Sequence, residues 1–277
     1  MVVSQSAEAF SGVTRLVVSQ SAEAFSGVTG LLGSCVYLIY GVLGIPAGIF
    51  LVLVIAVIII NVIPDTTNNP GLTLHPSQSI ISYNSSHKHN DYITQLDKFI
   101  EDYETPPVDS IICNATTTPE PGQSCWYEKE WLGSMCVKNN WGYLTTAPCI
   151  LVTPNMVVDW VPETYSSKEE LPHEMPQSLK NVIINNWHET ATIPKLAWVS
   201  CEVVSGEGEC SLTPWSGFPH YYFPYNNNTN YRSPIIAATV NWRGTEKKIE
   251  MKFQLWAKNI NPNDTTQTIV IEADQPN

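Results

Sequence analysis

One apolar stretch, residues 31–63, constrains this chain more than any other feature. Within it, residues 41–60 carry no charge. As a helix they extend about 30 Å, the thickness of a bilayer's hydrocarbon core. A cleavable signal has an apolar region of roughly 7–15 residues with a small-residue cleavage site close behind. Here the run continues to Ile63 and exits through Pro64-Asp65, so a retained anchor is expected. No amphipathic pattern breaks it, which disfavours a buried helix of a soluble domain.

The two sides of this stretch differ in chemistry. Residues 1–30 hold Arg15, Glu8 and Glu23, with no cysteine and no N-x-[ST] sequon. The positive-inside signal is therefore nearly silent. All four sequons, at Asn84, Asn114, Asn227 and Asn263, come after the stretch, together with Cys113, Cys125, Cys136, Cys149, Cys201 and Cys210. Glycan acceptors and disulfide-forming cysteines belong to an oxidising exterior, so the C-terminal part is expected outside the cytoplasm. The formal net charge of −12 falls almost wholly on that part. Such an acidic surface disfavours nucleic acid and anionic lipid surfaces as partners.

Four regions follow. Residues 1–30 form a short cytoplasmic tail in which the thirteen residues 2–14 recur identically at 17–29. A period of fifteen builds no solenoid, and the duplication receives no function. Residues 31–63 are the transmembrane helix, and the Pro/Asn/Thr-rich residues 64–82 read as a stalk. Residues 83–277 form the exterior domain. There, Tyr92, Ile93, Leu96, Phe99 and Ile100 at helical spacing predict one amphipathic helix over 91–103. Residues 149–152, 196–203, 233–242, 247–256 and 268–272 read as strands. Of these, 247–256 places Ile249, Met251, Phe253 and Leu255 on one face. The expected fold is a mainly-β exterior domain, an antiparallel β-sandwich with long loops, behind a single-pass helix.

No catalytic constellation is found. His188-Glu189 lacks the second histidine of a helical zinc site, and there is neither a G-x-S-x-G elbow nor a P-loop. His87-x-His89 lies in a polar stretch and reads as a solvated pair. No metal and no cofactor are expected, and the chain is read as non-enzymatic. The six exterior cysteines read as staples with fifteen open pairings, and Cys35 as a free thiol at the anchor's edge. In the anchor, Gly41, Gly44 and Gly48 share one helix face, where small residues let another helix approach. Tyr37 and Tyr40 sit at interfacial positions, and Pro46 bends the helix.

Nine segments, in order, resemble the β subunits of the sodium/potassium-transporting ATPase and its proton/potassium relative. They begin with Ala47-Gly48-Ile49-Phe50 in the anchor, Pro70-Gly71-Leu72-Thr73, and Tyr92 with Leu96-Asp97-Lys98-Phe99. Trp131-Leu132-Gly133 and Gly142-Tyr143 with Pro148-Cys149 follow, then Trp160-x-Pro162-Glu163 and Trp198-Val199-Ser200-Cys201-Glu202. Gly217-Phe218-Pro219 with residues 221–225 and Trp256-Ala257-Lys258-Asn259-Ile260 complete the series. The resemblance implies a single-pass type II plasma-membrane glycoprotein with an immunoglobulin-like exterior domain. It would do no chemistry itself. It would bind a catalytic α subunit, support that subunit's folding and delivery, and tune potassium transport. Tyr221, Tyr222, Tyr225, Tyr231 and Pro234 match the region of α contact, with Gly41, Gly44, Gly48, Tyr37 and Tyr40 as helix-side candidates. A diverged relative acting in cell adhesion without a pump is the alternative.

The resemblance also implies pairings. Cys113–Cys125 and Cys136–Cys149 match the family's first two disulfides by position. Cys201 matches the first partner of the third, but where the family has a cysteine shortly before the final Trp-Ala, this chain has Phe253. The expected substitute is Cys201–Cys210.

Overall fold

The computed structural model describes residues 69–83, 89–145, 147–242 and 248–273. All fall in the second of the chain's two units, Thr67–Asn277. The expected tail, the anchor with Gly41, Gly44, Gly48, Tyr37 and Tyr40, and the Asn84 sequon position lie outside the described residues. Among the described residues no helix is long and apolar enough to cross a membrane.

In chain order the elements are β1 (Leu72–His75), β2 (Ile80–Tyr83), α1 (His89–Ile100), β3 (Ser110–Ile112), β4 (Ser124–Trp126), α2 (Ser134–Val137) and β5 (Cys149–Pro154). Then come α3 (Gln177–Thr190), β6 (Leu196–Ser205), β7 (Gly208–Thr213), β8 (Gly217–Pro219), β9 (Ile236–Trp242), β10 (Lys248–Trp256) and β11 (Gln267–Ala273). Four strands in the order β1-β5-β9-β7 make one sheet, and five in the order β2-β11-β10-β6-β8 make the other. The first sheet is antiparallel throughout. The second is antiparallel except that β2 runs parallel to β11. A small parallel pair, β3–β4, stands apart from both.

Alternation accounts for β10. Ile249, Met251, Phe253 and Leu255 are all at most 1% exposed and join one core with Ala197, Val199, Ile269 and Ile271 of their own sheet. The opposing sheet contributes Ile150, Leu151, Val152, Ala238 and Val240 to the same cluster. Each of the four β10 side chains contributes roughly 1.5–3 kcal/mol on leaving water. A one-residue slip of β10 would therefore forfeit four at once, which fixes the register. The strand β5 is buried along its whole length, so it reads as a continuous apolar run instead of an alternating one.

Three features depart from the sequence expectation. Residues 72–75 and 80–82, read as stalk by composition, belong to strands of the two sheets, because Leu72 and Ile81 are core residues 3% and 0% exposed. Two parallel strand pairs stand beside the expected antiparallel ones. A second long helix, α3, covers the outer face of the five-stranded sheet. Its Leu179 and Ile183 form a separate core with Leu196, Trp198 and Trp256. The expected helix over 91–103 is found as α1 followed by a 3-10 turn, Glu101–Tyr103. Its Leu96 and Ile100 enter the main core, and its Asp97 carboxylate accepts Trp141 Nε1–H at 2.8 Å.

Three disulfides staple the domain. Cys113–Cys125, Cys136–Cys149 and Cys201–Cys210 have Cα–Cα separations of 5.4, 5.8 and 5.9 Å, inside the range such bonds require. The last joins β6 of one sheet to β7 of the other.

Candidate functional site: the tyrosine segment and its cradle

The segment that carries the candidate tyrosines leaves the edge of the five-stranded sheet. There β8 pairs with β6, Trp198 opposite Gly217 and Leu196 opposite Pro219. Glycine is required at 217, because a Cβ there would lie 2.6 Å from the Ala197 carbonyl oxygen. A 3-10 turn, His220–Tyr222, follows and sends successive side chains in different directions. Tyr222 turns inward, 2% exposed, and its hydroxyl donates to the Trp126 carbonyl at 3.2 Å. Tyr221 stays partly exposed with its ring 5.0 Å from that of Tyr222.

Beyond Pro224 the chain meets a second segment. Tyr225 forms a parallel bridge with Val158, and Asp159 N–H donates to the Tyr225 carbonyl at 2.9 Å. The rings of Tyr225 and Tyr231 lie 5.1 Å apart, both partly exposed. Pro234, like Tyr222, is buried. Burial therefore moves Tyr222 and Pro234 out of the set that can face a partner, leaving Tyr221, Tyr225 and Tyr231.

Residues 101–126 form a cradle for this loop. Tyr103 Oη donates to the Ser233 carbonyl at 2.9 Å, and Arg232 Nε donates to the Asp102 carbonyl at 2.9 Å. Ser124 Oγ donates to the Asn230 carbonyl at 3.0 Å, while Asn230 Nδ2 donates to the Val108 carbonyl at 3.1 Å. A second Arg232 nitrogen, Nη1, reaches the carbonyls of Thr229 and Tyr231. Cys125 sits between Ser124 and Trp126 in β4, so the Cys113–Cys125 disulfide anchors the strand that offers the Ser124 contact and the Trp126 carbonyl bound by Tyr222. Sequence reading missed Tyr103, Ser124, Asn230 and Arg232. Most of their bonds go to backbone carbonyls more than a hundred positions away, and no local pattern marks such residues.

An aromatic floor lies under the cradle. Tyr127 is central, its ring 5.3 Å from Trp131, 6.0 Å from Tyr103, 6.3 Å from Trp215 and 6.5 Å from Tyr222. Burial pushes the phenols of Tyr103, Tyr127 and Tyr222 well above their ordinary range, and it does the same to the enclosed Tyr231 hydroxyl although that residue as a whole stays partly exposed. Their hydroxyls stay protonated, and those of Tyr103 and Tyr222 donate to the Ser233 and Trp126 carbonyls. Around the loop stand exposed aliphatics, Val108 at 79% and Val158 at 46%. Partly exposed tyrosines with aliphatic neighbours on a fixed backbone are suited to recognition of a protein surface. Among the described residues no group of three His, Cys, Asp or Glu side chains is placed to hold a metal ion. The sequon asparagines Asn114, Asn227 and Asn263 are all exposed.

Comparison with known proteins finds a family match over most of the chain. The family described as sodium / potassium ATPase beta chain matches residues 5–272. The chain is 32% identical over 207 residues to sodium/potassium-transporting ATPase subunit beta-1 of Drosophila melanogaster, covering 69% of this chain and 65% of that protein. It is 31% identical over 217 residues to subunit beta-2 of the same organism, covering 69% and 66%. A probable subunit beta-3 of Caenorhabditis briggsae is 24% identical over 222 residues, covering 76% and 64%. The chain thus spans just under two thirds of the length of each relative.

Proposed function

The chain belongs to the sodium/potassium ATPase beta chain family, and on that footing we propose that it is the non-catalytic β subunit of a Na+/K+-transporting P-type ATPase. It binds the catalytic α subunit, supports that subunit's folding and plasma-membrane delivery, and modulates potassium transport. In this reading residues 31–63 are a single membrane helix and residues 1–30 lie in the cytoplasm. The described domain stands outside the cell as an immunoglobulin-like sandwich.

The observation that carries the proposal is the Tyr225–Tyr231 pair, 5.1 Å apart on a loop whose backbone is held by Tyr103, Ser124, Asn230 and Arg232. Pre-organisation of this kind reduces the entropy lost on association, so more of the contact energy appears as affinity. On the membrane side, Gly41, Gly44 and Gly48 offer a close-approach face to an α-subunit helix, and Tyr37 and Tyr40 flank it. No observation favours the adhesion reading.

Co-expression with an α subunit tests the proposal. The chain should raise the amount of α subunit at the cell surface and its ATPase activity. Replacing Gly44 and Gly48 together by leucine should lower both. No effect of the unmodified chain on either quantity would refute the proposed role.

A further inference from the structure

We propose that Asn263 is a folding-gated glycosylation site, open to modification only until β11 docks. The proposal rests on the exterior placement of the domain given above. The three sequons in the described residues differ in the state of their third residue. Thr116 and Thr229 are exposed. Thr265 is 2% exposed. Its hydroxyl accepts the Leu255 N–H at 3.0 Å and donates toward the Pro262 carbonyl at 2.9 Å, with the Leu255 carbonyl 3.2 Å away. Asn263 itself is exposed in the same turn, its N–H donating to Asn261 Oδ1 at 3.2 Å.

An N-x-[ST] acceptor is defined by that third hydroxyl as much as by the asparagine. The modifying enzyme must therefore reach Thr265 Oγ1. In the folded domain this atom lies at the root of β11, between Leu255 of β10 and the start of the strand. Freeing it breaks the Leu255 bond and unseats β11, whose Ile269 and Ile271 are both 0% exposed. Loss of those two side chains from the core is a large fraction of a domain's net stability. A docked β11 thus withdraws the sequon while leaving room on the surface for a sugar already attached.

The chemistry needs a lipid-diphosphate-linked oligosaccharide as donor. Asn263 Nδ2 bonds to the anomeric carbon, and the bond from that carbon to the diphosphate oxygen breaks. The lipid diphosphate leaves with the electron pair and takes up the proton lost from Nδ2. Occupancy at Asn263 then records how long the chain remained open, whereas Asn114 and Asn227 remain acceptors after folding.

Translation of the full chain into microsomes tests this, with occupancy read at each sequon by glycopeptide mass spectrometry. In one arm glycosylation is blocked with a competing acceptor tripeptide until the disulfides have formed, and the block is then removed. Asn114 and Asn227 should gain sugar while Asn263 gains none. In a second arm the same delay is applied to Ile271→Asp, which cannot dock β11, and Asn263 should be modified along with the others. Equal modification of Asn263 in the folded chain would overturn the proposal, as would its absence from the Ile271→Asp chain. Modification of no sequon in either arm would overturn the exterior placement, and the proposal with it.

Discussion

Phe253 of β10 stands directly opposite Cys201 of β6, in a register that runs unbroken from Met251↔Val203 to Trp256↔Trp198. Phe253 is 0% exposed. The resemblance to the family implies a cysteine at position 253, paired with the one that Cys201 matches. Here an aromatic ring occupies that position and fills the core, and Cys201 bonds instead to Cys210 across the two sheets. The volume of one residue and the bonding of another are thus parts of a single arrangement.

Phe253→Ala empties a fully buried site and should destabilise the domain by about 3–5 kcal/mol. Replacing Cys201 and Cys210 together by serine removes a short closed loop and should cost about 2–3 kcal/mol in the chain-entropy model. Both losses are read as shifts in the urea midpoint. Non-reducing peptide mapping checks the pairing itself, since free thiols at both positions would contradict it.

His75 gives the domain a pH dependence. Its ring stacks on Phe99 with centroids 4.0 Å apart, Nε2 lies 3.3 Å from Thr153 Oγ1, and burial lowers its pKa from 6.5 to about 4. Between those values the unfolded chain binds the proton more readily than the folded one. The contribution is therefore complete above pH 6.5 and is lost as the pH falls toward 4, up to about 3 kcal/mol. Denaturation midpoints at pH 7 and pH 5 should differ for the unmodified chain, and the difference should shrink in His75→Phe.

Arg232 holds the tyrosine loop without facing the partner in the proposed arrangement. Its guanidinium spans carbonyls on both sides of the cradle. Arg232→Gln should therefore lower the thermal midpoint and reduce recovery of the α subunit while leaving the three disulfides in place. Hydrogen bonds from a charged donor are worth roughly 1.5–3 kcal/mol to stability, so a loss of that order should appear in the unfolding free energy beside the weaker binding.

Tyr225 and Tyr222 should separate contact from support. Tyr225→Ala removes a partly exposed ring, and a hot-spot position of this kind costs 2 kcal/mol or more in binding, on the order of thirtyfold. Tyr222→Phe removes only the hydroxyl that reaches Trp126, which should lower stability by about 1 kcal/mol and leave α-subunit affinity unchanged. Binding and unfolding measured on the same preparations would distinguish the two.

Much of this fold is legible in the sequence, and the reasons are local. Ile249, Met251, Phe253 and Leu255 alternate because one face of β10 is core, and α1 shows its apolar stripe because it lies on the domain's edge. What stays hidden depends on tertiary context. The helix α3 has Leu179, Ile183 and Trp187 at helical spacing, yet Val182, Ile183 and Ile184 suggest a strand. Its ends lack the usual signals, with Pro176 before it and Ala191 in the left-handed conformation after it. The strands β1 and β2 are four residues each in a Pro/Asn-rich stretch and become strands by pairing with β5 and β11. Sequence also cannot separate Tyr221 from Tyr222, because a single 3-10 turn decides which one is buried.

The most direct measurement is co-purification of the full chain, tagged, from cells solubilised in mild detergent. A P-type ATPase α subunit should be recovered with it, in an amount that falls with Tyr225→Ala. Delivery of this chain to the cell surface with no such subunit bound would contradict the proposed role.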